Sequence, residues 1–217
     1  METDADLQLR VMAELKWEMT AANAAEIGVA VKDGVVTLSG CVRCFPEKWA
    51  AERAVKRVLG VKAVAEEIKV ILPGSAERTD VDIARAAENA LEWNTMVPQD
   101  RVKVMVEDGK ITLEGQVDSY PQRVAAHDSV HYLTGVKGVN NRITVQPKAK
   151  PAEVKTDIEQ ALMRNAQLDS RQISVEALDD KVILQGSVRS WAERQEAEDA
   201  AWAAPGVAKV TNNITIA

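Results

Sequence analysis

Two cysteines and two histidines are the residues of this chain whose spacing could do chemistry. Cys41-Val42-Arg43-Cys44 has the C-x-x-C spacing that redox enzymes place at a helix N-terminus, where the helix stabilises a thiolate. Cys41 falls inside an alternating strand pattern, and no further cysteine is present to complete a four-ligand zinc site. The pair therefore reads as two reduced, structurally incidental thiols, with a metal shared across a dimer as the alternative. His127 and His131 have the spacing that puts two imidazoles on one side of a helix, as a two-histidine metal site requires. No acid completes a His-Glu-x-x-His motif around them, so the expectation is a pair of surface histidines and no metal. A phosphate loop, a nucleophile elbow and a paired-carboxylate constellation are all missing from the sequence. No catalytic residue and no cofactor is expected, and the chain does not read as an enzyme.

A different chemistry, that of surfaces, is suggested by Trp49, Arg53, Lys56 and Arg57. If Ala51, Val55 and Val58 form the buried face of a helix, these four lie on its other side as a basic stripe carrying an aromatic, the composition of an interfacial helix that meets anionic headgroups. The corresponding residues further along are Val124, Asp128, His131 and Tyr132, then Gln195, Asp199, Trp202 and Ala203, so the charge occurs once. The same stripe also fits an ordinary solvated face, and Trp49 or Trp202 could instead pack between units and serve assembly.

The elements that must position these residues come in three copies. Asp33-Gly34-Val35-Val36-Thr37-Leu38-Ser39-Gly40 returns as Asp108 to Gly115 and again as Asp179 to Gly186, and a Gly-Val pair follows each at the same distance, at Gly60, Gly135 and Gly206. Such repetition decides architecture before local arguments do. The reading is α+β, with three tandem αββαβ units spanning 1–72, 79–146 and 153–217. The segments between them, 73–78 and 147–152, are short and rich in Pro, Gly, Ser and Ala, as linkers are.

Each unit opens with a helix whose apolar residues keep helical spacing: Leu7, Val11, Leu15; Ile83, Ala87, Leu91; Val154, Ile158, Leu162. Two alternating strands follow, joined by Asp-Gly turns in which glycine supplies positive φ. Asp179-Asp180 replaces that pair in the third unit, which should make its turn the most strained. Gly40, Gly115 and Gly186 fall on the inward face of the second strand, and the expected reason is a helix approaching closely. A second helix then starts near Pro46 or Pro121 and ends at Gly60, Gly135 or Gly206 as its left-handed cap. The last strand returns parallel to the second, so two helices cover one face of a mixed three-stranded sheet.

Composition narrows the function classes. The chain has 217 residues, a net charge of −6, 46% hydrophobic residues and only 4% aromatics. The acidic balance argues against nucleic-acid binding, which needs clustered Lys and Arg. No run approaches the ~20 apolar residues of a membrane span, and no secretory signal is recognisable, so the expected location is cytoplasmic.

The hairpin ending at Val36 to Val42, followed by Gly60 to Val70, with its counterparts Ile111 to Val117 and Gly135 to Val145, then Val182 to Val188 and Gly206 to Ile216, resembles the BON domain. This family takes its name from bacterial osmotically induced and nodulation proteins. The resemblance covers almost the whole chain. It implies a phospholipid- or membrane-surface-binding module of envelope and osmotic-stress proteins, with the periplasm as the alternative location, and some members are linked to chaperoning or small-ion binding. Departures from the pattern are Glu66, where the other units have Asn141 and Asn212, and Asp180 in place of the turn glycine. The function expected is a non-enzymatic triple-BON binding protein docking on phospholipid surfaces through Trp49, Arg53, Lys56 and Arg57. The alternatives are a protein-interaction or chaperone-like scaffold and a sensor of a small ligand or of K⁺ or Ca²⁺.

Overall fold

A computed structural model describes residues 3–19, 24–146, 154–164, 172–178, 180–204 and 206–216. The first unit comprises α1 (Asp4–Glu18), β1 (Ile27–Lys32), β2 (Val35–Val42), α2 (Phe45–Arg57) and β3 (Ala63–Val70). The second comprises α3 (Asp80–Glu92), β4 (Val102–Glu107), β5 (Lys110–Val117), α4 (Tyr120–Val130) and β6 (Gly138–Val145). The third comprises α5 (Val154–Arg164), β7 (Ile173–Leu178), β8 (Lys181–Val188), α6 (Trp191–Ala203) and β9 (Lys209–Ile216). Each sheet has the middle strand of sequence at its centre, antiparallel to the strand before it and parallel to the strand after the helix. The fold is α+β as expected. In the first unit Leu7, Val11 and Leu15 of α1, Val36, Leu38 and Val42 of β2 and Ala51, Ala54 and Val55 of α2 form one buried cluster, so both helices cover the same sheet face.

The hairpins are built as their Asp-Gly pairs dictate. Asp33 and Gly34 both adopt positive φ, 54° and 80°, and Asp108 and Gly109 repeat this at 51° and 76°, the pairing whose twist matches that of the strands. The turn amides are held from a distance in sequence: Asp33 and Gly34 donate to the Asp4 carboxylate at 2.9 and 3.2 Å, and Asp108 and Gly109 to Asp80 at 2.9 and 2.8 Å. Asp179, on which the expected strain of the third turn rests, lies outside the described residues.

Gly40, Gly115 and Gly186 require glycine for a reason other than the one expected. Their φ values are 115°, 143° and 136°, and a Cβ there would collide with the carbonyl oxygen of Glu26, Arg101 or Gln172, the residue just before the neighbouring strand. The close approach is therefore to the backbone at the entry of the neighbouring strand, which in the second unit is the end of a 3-10 turn at Gln99–Arg101, and not to one of the α-helices that cover the sheet. Gly60, Gly135 and Gly206 do take positive φ, but the helices stop earlier, with Val58, His131 and Ala204 as caps. The glycines lie in the turns into the last strands, where Lys62 donates to Gly34, Lys137 to Gly109 and Ala208 to Asp180.

The third strand is tied to the second helix in every unit. Asn141 and Asn212 accept from the amides of Ile143 and Ile214 and donate to the carbonyls of Arg123 and Arg194. Glu66 accepts from the Ile68 amide in the same way, and the donor it lacks is replaced by Lys48 of α2, which pairs with Glu66 at 2.6 Å and donates to the Ile68 carbonyl.

The three units close into a ring. Phe45, Tyr120 and Trp191 are the first residues of α2, α4 and α6, and each turns its side chain onto the next unit. Phe45 packs against the core of the second unit. Tyr120 stacks on Trp202 of the third, ring centres 5.2 Å apart. Trp191 packs against the core of the first unit and donates its indole N–H to the Lys62 carbonyl at 2.9 Å. Head-to-tail contacts of this kind make a ring only when the rotation between units closes, and here the third unit meets the first.

Candidate functional site

The second helices converge on the ring centre and surround a cavity of about 750 Å³. The first unit contributes Trp49, Arg53, Lys56 and Arg57, the four residues singled out by sequence. Their surroundings correct the expectation of an open basic stripe. Trp49 is half-buried, with its ring 5.1 Å from that of His131 and 6.5 Å from that of His127. Arg57 bridges Glu14 at 2.9 Å and Glu18 at 2.6 Å on α1. Lys56 pairs with Glu52 at 2.6 Å and lies 5.8 Å from the centre of the Trp191 ring. Arg53 remains exposed, its guanidinium 4.5 Å over Trp49, a cation–π distance. The helix faces the neighbouring units because Phe45 anchors its N-terminus in one of them, and most of the stripe's charge is matched within the first unit.

The third unit lines the opposite side with Trp191, Trp202, Glu196, Glu198 and Asp199. The Tyr120 hydroxyl donates to Asp199 Oδ1 at 3.0 Å, and the Gln195 amide donates to the same oxygen at 3.0 Å. Burial pushes the Tyr120 phenol up, and the Asp199 charge adds to it. Burial likewise raises the Asp199 carboxyl against the lowering effect of its two hydrogen bonds. The wall is thus cationic and aromatic on one side, acidic and aromatic on the other.

The two histidines are not a surface pair. His131 retains only 2% of its surface, and neither of its ring nitrogens has a hydrogen-bond partner. Burial, then the neighbouring His127, push its imidazole below the ordinary histidine range. His127 Nδ1 lies 3.2 Å from Asp128 Oδ1, and His131 Nδ1 lies 3.8 Å from the same oxygen. The donor atoms of the three side chains all fall within 4.8 Å of one another. Sequence reasoning found the helical spacing of the pair, but the cover that Trp49 provides comes from another unit.

Cys41 and Cys44 are free, half-buried thiols. Cys44 caps α2 without donating or accepting a side-chain cap hydrogen bond, and burial pushes its thiol up, the reverse of redox activation.

Residues that sequence reasoning missed lie at two places. Phe45, Tyr120 and Trp191 occupy one repeat position, although the chain has only one Phe, two Tyr and five Trp; that coincidence was the available signal. Trp17 and Trp93 stand two residues beyond the core leucines Leu15 and Leu91, and each is 86% exposed. No helix among the described residues is long and apolar enough to cross a membrane.

Comparison with known proteins places the chain. The family model described as BON domain matches residues 3–71, 79–147 and 151–217. Osmotically-inducible protein Y of Escherichia coli (strain K12) is 34% identical over 122 residues, an alignment covering 54% of this chain and 61% of that protein, less than two thirds of its length. Among solved structures, CdsD, a structural protein of the type III secretion system of Chlamydia trachomatis, aligns at 14% identity over 98% of this chain and 92% of its own, with a TM-score of 0.27. The C-terminal domain of CdsD aligns at 13% identity over the whole of both chains, also at 0.27, and likeness at that level carries no argument. The three family matches and the three sheets agree, and the chain belongs to the BON domain family, which it carries in three copies.

Proposed function

We propose that the chain is a non-enzymatic binding protein that docks on anionic phospholipid surfaces in osmotic-stress or envelope-associated physiology, using the C-terminal ends of its first helices. The observation that carries this reading is the exposure of Trp17 and Trp93, 86% each, at equivalent positions of two units. Indoles left in water at matching places suit a membrane interface, where the ring is half apolar and the N–H stays wet. Lys16 and Arg164, both exposed, add positive charge at the ends of α1 and α5, where Met163 of α5 is 66% exposed, whereas the last turn of α3 before Trp93 carries no basic residue. Modules that bind weakly one at a time gain avidity when a single surface engages them together. The name of the osmotically-inducible relative supports the stress setting.

A second reading places binding of a small anionic ligand in the cavity, through Trp49, Arg53, Lys56 and Arg57. What favours it is the volume, about 750 Å³, within the range of small-molecule sites, together with the exposed Arg53.

Vesicle flotation of the full chain separates the two. Salt-sensitive flotation on anionic but not zwitterionic vesicles, lost in Trp17→Ala/Trp93→Ala and kept in Arg53→Ala, is the expected result. Absence of flotation with either lipid overturns the lipid reading. Loss in Arg53→Ala alone moves binding into the cavity.

A further inference from the structure

His131 is the least explained polar side chain among the described residues. Buried imidazoles normally hydrogen-bond through at least one nitrogen, yet both of its nitrogens lack a partner at 2% exposure. On the same helix, one turn earlier, lie His127, with 22% of its side chain exposed, and Asp128, with 54%. Both line the central cavity, so the group is closed on the His131 side and open to solvent on the other.

We propose that His127, Asp128 and His131 bind one divalent transition-metal ion of the zinc class, with the remaining coordination position facing the cavity. Zinc takes imidazole nitrogen and carboxylate oxygen at about 2.0–2.2 Å in a tetrahedral arrangement, which places donor atoms about 3.3 Å from each other. The separations of 3.2 and 3.8 Å from Asp128 Oδ1 to the two Nδ1 atoms bracket that value, and no donor pair is more than 4.8 Å apart. The His127 ring is stacked on that of His131, centres 5.0 Å apart and 22° from parallel, so binding requires half-exposed His127 to turn out of this stack and exposed Asp128 to turn in, around the fixed His131. Two imidazoles and one carboxylate favour Zn²⁺, Ni²⁺, Co²⁺ or Cu²⁺ over Ca²⁺ and Mg²⁺, which prefer oxygen ligands. The position at the C-terminal end of α4, with His131 as the helix cap, also suits a cation.

The three donors all belong to the second unit, and the first unit contributes the aromatic ring beside them. Trp49 of α2 packs tilted against both imidazoles, its ring centre 5.1 and 6.5 Å from theirs, so its fluorescence reports on an ion bound there.

The test uses the untagged full chain with Cys41→Ser and Cys44→Ser, which removes thiolates as competing ligands. Equilibrium dialysis with Zn²⁺ should give one ion per chain, and Co²⁺ should give the visible absorption of a low-symmetry site and quench tryptophan fluorescence. His127→Ala and Asp128→Asn, both at solvent-accessible positions, should keep the far-ultraviolet spectrum and weaken binding at least tenfold. Trp49→Phe should keep Co²⁺ binding and lose most of the quenching. Binding below a tenth of an equivalent, binding undiminished in His127→Ala and Asp128→Asn, or quenching undiminished in Trp49→Phe each overturns the proposal.

Discussion

Asp199 shows how a single carboxyl in the cavity wall is pulled two ways. Tyr120 and Gln195 donate to it, which favours the ionised form, but burial opposes ionisation more strongly, and its pKa lies above the ordinary 3.8. The folded chain therefore holds this proton more tightly than the unfolded chain does. The stabilisation is present below pH 3.8 and is lost as pH rises through the raised folded value. Asparagine keeps an oxygen for the Tyr120 hydroxyl and carries no charge to desolvate. Asp199→Asn should thus melt at or above the wild-type temperature at pH 7, with the gap closing as pH is lowered toward 3.8. A variant that melts clearly lower at pH 7 would mean that the charged hydrogen bond to Tyr120 outweighs burial. Nothing in the sequence around Asp199 signals this, because Tyr120 lies in another unit. His131 was equally opaque, since helical spacing gives the face a histidine occupies but not what covers that face.

At the scale of elements, the sequence was far more legible, because hydrophobic spacing and turn chemistry act locally and were stated three times. Strand alternation around Val36, Leu38 and Val42, the helical spacing of Leu7, Val11 and Leu15 and the Asp-Gly turns all appear as read. What went astray was Gly40 and its counterparts, whose need for glycine comes from the carbonyl that precedes the neighbouring strand and not from a covering α-helix. That overhang depends on where the partner strand begins, which periodicity does not report. Gly115→Ala would set a Cβ against the Arg101 carbonyl at φ 143°, and a rigid backbone neighbour leaves no easy relief, so the loss should be about 2 kcal/mol or more. Gly138→Ala, where a Cβ meets only the flexible Lys110 side chain at 3.6 Å, should leave stability unchanged or slightly raised. Denaturant melts of both variants check the contrast, and equal effects would refute the overhang as the cause.

For the whole molecule, the order of the units along the chain does not determine that the third should return to the first. Linkers of a few residues keep the first unit near the second and the second near the third, so those contacts form at high local concentration. The contact between the third unit and the first has no such help. It rests on Trp191, which packs on the core of the first unit and donates to Lys62 across 129 positions of sequence, with Lys56 and Arg194 5.8 and 5.0 Å from the centre of its ring. An aromatic anchor of this kind typically accounts for about 2 kcal/mol or more of an interface. Each unit keeps its own sheet and buried cluster, so Trp191→Ala should open the ring while the units stay folded. Small-angle scattering should then show a larger radius of gyration, with far-ultraviolet dichroism unchanged. Tyr120→Ala loosens a joint that a linker still holds, and it should expand the molecule less. If Trp191→Ala leaves the radius of gyration unchanged, closure does not depend on this residue, and the remaining contacts among the second helices must suffice to hold the ring.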